Sequence, residues 1–156
     1  MEFLRNTNNR AFQKIRIQLV HELISTGLIR GDYLSIDSCP LPARVKENNV
    51  KTNVKDRFNK EHICKGDPDA RLGVMFTFSK SKKEINYFWG YRNHVVIDAK
   101  GELPVWKITK PTNVQDSVMF IPIFDLMQKD FHFNAHVVML MPSMIAPLSL
   151  TTLSIR

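Results

Sequence analysis

Cysteine is scarce in this chain of 156 residues, with two in all, Cys39 and Cys64. Two thiols cannot build a disulfide framework, and His62-Ile63-Cys64 offers only a His-x-Cys fragment. Two ordinary reduced thiols are therefore expected rather than a zinc site, which needs four ligands at metal spacing. No uninterrupted apolar run reaches the roughly 18 residues of a membrane span, so no membrane partner is expected. The opening Met1-Glu2-Phe3-Leu4-Arg5-Asn6 lacks the basic-then-apolar shape of a secretory signal, which makes the cytoplasm the expected compartment. Acid is in deficit too: 15 Asp and Glu stand against 22 Lys and Arg, a formal net charge of +7.

Enough apolar residues are present, at 44%, for one domain with a real core. The charge is unevenly spread, being +2 over residues 1–36, +5 over 37–92 and zero over 93–156. A positive middle suits a polyanionic partner such as nucleic acid.

From Ala11 to Gly27 the apolar residues Phe12, Ile15, Leu19, Leu23 and Ile24 recur at helical spacing, and Gly27 is a suitable stop. Tyr33-Leu34-Ser35-Ile36 is a short β-prone run ending in Asp37-Ser38. Cys39 to Leu72, with Pro40, Pro42 and many basic residues, reads as a long loop or insertion. Strands are expected at Val74–Phe78, Ile85–Ile97 and Leu103–Thr109, with a turn at Asp98-Ala99-Lys100-Gly101. Thr112 or Asn113 can cap a helix carrying Val114, Val118, Ile121 and Leu126 on one side, and Pro122 argues for a kink or break there. His136-Val137-Val138-Met139 is a last strand. The order of elements predicts a mixed α/β domain.

Two features carry chemistry. Asp37 follows an apolar strand and precedes a small polar residue, an arrangement more often a cap or turn than a catalyst. Tyr87-Phe88-Trp89-Gly90-Tyr91-Arg92-Asn93-His94-Val95-Val96-Ile97-Asp98-Ala99 is followed by Leu103-Pro104 and by Thr109, Thr112-Asn113 and Asp116-Ser117. In isolation its aromatics form a strand face and Asp116 is a first-turn helix acid. Taken together over Tyr33–Met139, the Ile-Asp-Ser strand end, Gly-Tyr-x-x-His, Leu-Pro and Asn-x-x-Asp-Ser, with Thr109 and Thr112 near the place of the family's Thr in Thr-x-x-Asn-x-x-Asp-Ser, resemble the DDE transposases of bacterial insertion sequences, the broad transposase IS-four-like group. Asp67-Pro68-Asp69-Ala70-Arg71 looks like these proteins as well.

The resemblance implies an incomplete ribonuclease H-like domain: a three-strand antiparallel meander, a helical crossover, and a fourth strand parallel to the first, with a long basic insertion after the first strand. On that reading residues 1–32 are an N-terminal helical segment and 33–139 the partial catalytic domain. Intact members use acids on adjacent strands to hold two Mg²⁺ or Mn²⁺ ions roughly 3.5–4 Å apart, cleaving phosphodiesters and transferring strands between insertion-sequence ends and target DNA, in homo-oligomeric assemblies. Asp37 corresponds to the first acid, as metal ligand and catalytic residue. Asp98 is a hairpin residue, and Asp116 orders a helix start.

The closing segment departs from that pattern. Arg156 is the only charged residue from Val137 onward, and Leu140-Met141-Pro142-Ser143-Met144-Ile145-Ala146 stands where the family has a sequence like Asp-Ala-x-Tyr-Asp-Ser. Met is encoded only by ATG and Pro begins CC, so the triplet straddling Met141 and Pro142 is GCC, alanine. Met144 and Ile145 likewise force GAT, aspartate. The other straddling triplets permit Asp, Tyr and Ser at the matching places. Residues 140–156 are therefore expected to be an out-of-frame tail, from a lost base or from programmed frameshifting, in a chain cut at its C-terminus and N-terminus. Such a chain keeps one of three acids and is expected to be inactive. The alternative is a non-catalytic DNA-binding remnant, using Arg44, Lys46, Lys51, Lys55, Arg57, Lys60 and Lys65 against phosphates.

Overall fold

A computed structural model describes residues 9–79 and 82–140. Helix α1 (Asn9–Ser25) leads into five strands, β1 (Tyr33–Pro42), β2 (Arg71–Ser79), β3 (Lys82–Asp98), β4 (Leu103–Pro111) and β5 (Val137–Leu140), with helix α2 (Asp116–Phe131) between the last two. The mixed α/β class expected from the order of elements is found. The closing segment from 141 onward lies outside the described residues.

β3 is the organising element. Its first half pairs antiparallel with β2, Arg71 opposite Gly90, and its second half pairs on one edge with β1 and on the other with β4. β5 adds to the far side of β1 in parallel, with Tyr33 opposite Val137 and Ile36 opposite Leu140. Across the second half of β3 the strands therefore run β4-β3-β1-β5, and α2 carries the chain from one outer strand to the other.

Alternation along the strands sorts the two faces of the sheet. Leu34 and Ile36 of β1 and Val96 of β3 are fully buried, and with Val105 they meet Met127 and Ile123 of α2 and Val20 of α1 in one cluster. Met119, Ile123, Met127 and Phe131 recur every four residues, so α2 lays one stripe on the sheet. That stripe differs from the expected one: Val118 and Ile121 are 63% and 65% exposed. The cap differs as well. Gln115 precedes the helix, because the Thr112 hydroxyl is buried and donates to the Arg71 carbonyl instead. Pro122 is accommodated within the helix and does not end it.

In α1 the inward residues are Ile17, Val20, Leu23 and Ile24, whereas Phe12, Ile15 and Leu19 are exposed. Arg16 sets this rotation. A bulge in the β3–β4 ladder leaves Val105 without an opposite residue, and Arg16 donates to its carbonyl (3.1 Å) while the guanidinium lies 4.2 Å above the Trp106 ring. The expected stop is found: Gly27 adopts φ +75° after the last helical turn.

β1 is longer than expected. It does not end at Asp37-Ser38 but continues against β3 to Pro42, opposite Gly90. The prolines are tolerated there because β1 has no described neighbour on its other side beyond Ile36. A Cβ at Gly90 would stand 2.3 Å from the Leu41 carbonyl oxygen, so only glycine allows β1 this close.

Candidate functional site

Asp37 occupies β1 one residue beyond the last parallel pair, Ile36 with Leu140. It is exposed, opposite Val95, on the face away from the helices. Its Oδ1 accepts the Ser38 amide at 2.7 Å. The residues paired alongside it offer no free carboxylate. Asp98 lies across from Leu34 on the helix-covered face and is fully buried, accepting from the Gly31 amide (2.9 Å) and the Gly101 amide (2.7 Å). Asp98 therefore closes a hairpin, as expected, and Asp116 is the first residue of α2.

The same open face carries the insertion, residues 43–70. By alternation Trp89 and Tyr91 share a face with Val95 and hence with Asp37. Trp89 is fully buried among Val45, Cys64, Ala43 and Leu72, and its indole donates to the Arg57 carbonyl (2.7 Å). Asn48 acts as a substitute strand partner: its amide donates to the Ala43 and Trp89 carbonyls (2.8 and 2.7 Å) and its Oδ1 accepts from the Trp89 amide (2.7 Å). The Asp-Pro-Asp-Ala-Arg turn is a clamp, in which Asp67 accepts the Tyr91 hydroxyl (2.6 Å), Ala70 is fully buried, and Arg71 donates to the Pro68 carbonyl (2.6 Å). Burial, and then the Asp67 hydrogen bond, push the Tyr91 phenol up to about 12.

Of the cations read as nucleic-acid contacts, Arg44, Lys46, Lys51, Lys55, Lys60 and Lys65 are exposed. Arg57 is half-buried and donates to the Thr52 carbonyl.

A cluster absent from the sequence reading lies inside the insertion. Asn48 fixes the one-turn 3₁₀ segment Lys46–Asn48, and Glu47 within it points inward at 1% exposure. His62 Nε2 lies 3.0 Å from Glu47 Oε1, its ring edge-on to Trp89 at 5.5 Å. Cys64, fully buried, completes a group whose ligand atoms all lie within 4.8 Å of one another. Burial raises the Glu47 pKa, but the His62 hydrogen bond, its own backbone amide and the charges of His62 and Lys46 together hold it below the usual carboxylate value. Burial, reinforced by the Glu47 charge, pushes the Cys64 thiol up to about 11. The His62-x-Cys64 fragment was the visible half of this signal. Glu47 lies 15 residues upstream of His62 in an aperiodic stretch, and no spacing rule selects it.

Both cysteines are free thiols. Among the described residues no helix is long and apolar enough to cross a membrane. Comparison with protein-family models, with curated proteins and with solved structures finds no match.

Proposed function

We propose that this chain carries the opening four-strand portion of a ribonuclease H-like DDE transposase domain, with Asp37 as the first acid and no second acid beside it. The observation that carries the reading is the parallel register of β1 and β5, which ends at Ile36 and Leu140, one step short of Asp37. A carboxylate encoded by the triplet straddling Leu140 and Met141 would enter β5 next to Asp37, where two acids can share a metal ion. The strand order β4-β3-β1-β5 with a helical connection into β5 also supports it, because the resemblance implies a meander, a crossover and a fourth strand parallel to the first. β2 then belongs to the insertion and extends β3 beyond the meander.

The described residues do not fit a two-ion Mg²⁺ or Mn²⁺ centre. One exposed carboxylate competes poorly with water for an ion that keeps its hydration shell, and Asp98 is committed to backbone amides on the opposite face. No cleavage step follows from Asp37 alone. A DNA partner is supported by the exposed cations of the insertion, which is anchored on Asp37's face through Trp89 and Tyr91. These contacts would be sequence-blind and salt-sensitive.

Supercoiled DNA nicking with Mn²⁺ tests the reading. The chain as it stands gives no nicks. A version with the frame shifted at codon 140, so that Asp-Ala-x-Tyr-Asp-Ser and the sequence after it are translated, nicks DNA, and Asp37→Ala abolishes that activity. Nicking by the unaltered chain that Asp37→Ala removes, or a shifted version indifferent to Asp37→Ala, contradicts it.

A further inference from the structure

We infer that Glu47, His62 and Cys64 form a binding site for a zinc-class divalent cation, which pins the insertion to the sheet at Trp89. This site is separate from Asp37. Trp89 and Val95 are six residues apart on β3, roughly 20 Å along the strand, and the inference holds whether or not the transposase reading does.

Three observations carry it. The first is convergence: one carboxylate oxygen, one imidazole nitrogen and one sulfur lie within 4.8 Å of one another. A tetrahedral ion with bonds of about 2.0–2.3 Å separates its ligands by roughly 3.3–3.8 Å, so a contraction of about 1 Å at the widest pair brings the three to ligand spacing. The second is an unmet need. Glu47 Oε2 is buried without a hydrogen-bond partner, although the residue is 99% removed from solvent. Leaving half of a carboxylate unsolvated is costly, and a cation relieves it. The third is charge balance: a Glu47 carboxylate and a Cys64 thiolate neutralise a divalent ion, leaving a buried group with no net charge.

The donor set selects the ion. Sulfur and imidazole favour Zn²⁺ and its relatives over the hard ions Mg²⁺ and Mn²⁺. Three protein ligands leave a fourth position, and the partly exposed His62 is the side of the cluster that water can reach. On binding, Cys64 gives its proton to solvent, and the proton that His62 Nε2 shares with Glu47 leaves that nitrogen, a neutral ring carrying its one proton on Nδ1 instead and a protonated ring releasing the Nε2 proton to solvent, so that Nε2 and the Glu47 carboxylate each bond the ion. The site would then close a loop from Glu47 to Cys64 over Trp89, tying together a segment with little secondary structure of its own.

Titration of the tag-free, reduced protein with Zn²⁺, and with Co²⁺ as a spectroscopic stand-in, tests this. One equivalent is expected to bind, Co²⁺ giving a sulfur-to-metal charge-transfer band. Cys64→Ser should abolish the band, while Cys39→Ser leaves it intact. Glu47→Gln and His62→Ala should each weaken Zn²⁺ binding by at least about 100-fold. His62→Ala alters a partly exposed side chain, so its circular dichroism separates ligand loss from unfolding. Absence of a charge-transfer band in the unaltered protein, its survival in Cys64→Ser, or unchanged Zn²⁺ affinity in a folded His62→Ala variant overturns the inference.

Discussion

Asp98 and Glu47 are both carboxylates at 1% exposure, and their surroundings treat them in opposite ways. Asp98 is answered on both oxygens by the amides of Gly31 and Gly101, whereas Glu47 is answered on one. The first is a finished structural joint and the second a ligand in waiting. Asp98→Ala removes two charge-assisted hydrogen bonds and strands the Gly31 amide in the interior, so chemical denaturation should show a loss of about 3 kcal/mol or more, with Asp98→Asn intermediate. Tyr91 sets an alkaline limit. Its folded pKa, about 12, lies above the ordinary 10.0, so its contribution is complete below about pH 10 and disappears as pH rises through 12. Cys64, raised from 9.0 to about 11, adds a loss that begins lower. Denaturation midpoints between pH 9 and 12 should fall, and Tyr91→Phe should remove the upper part of that fall. Asp98 was legible as a turn residue because Asp-Ala-Lys-Gly is turn chemistry. Its role as an anchor for Gly31 was not, because that contact spans 67 residues.

At the scale of elements, the strands were legible where β-branched and aromatic residues cluster, and their ends were not. β1 outruns its expected end through two prolines because Gly90 lets it approach, a fact about β3 rather than β1. The helices were legible in position but not in rotation. α1 has apolar residues on two sides, and the choice between them was made by Arg16 reaching the carbonyl freed by a bulge in another element. In α2 the four-residue spacing of Met119, Ile123, Met127 and Phe131 was present but competed with Val118 and Ile121. Trp89 joins the sheet to the insertion, holding Val45, Cys64 and the Arg57 carbonyl. Trp89→Ala should cost about 3–5 kcal/mol. It should also make residues 43–70 the first segment cut in limited proteolysis, mapped by mass spectrometry, while the helix-covered face resists longer.

For the whole molecule, the sheet segregates two tasks. The helices and the main core occupy one face, and Asp37, the basic insertion and the Glu47–His62–Cys64 cluster occupy the other. The mixed class followed from the order of elements, but Asp37 lies in the middle of β1 and not at the strand end expected for it. The pairing of β1 with β5 joins residues about a hundred positions apart, which local pattern cannot supply. It matters because it sets Asp37 beside the point where the forced alanine and aspartate triplets of the neighbouring frame begin. The nucleotide sequence across codons 140–146 tests this most directly. The account predicts that the frame straddling these codons reads Asp-Ala-x-Tyr-Asp-Ser and stays open beyond it. A triplet other than Asp across codons 140 and 141, or an immediate stop in that frame, would contradict it.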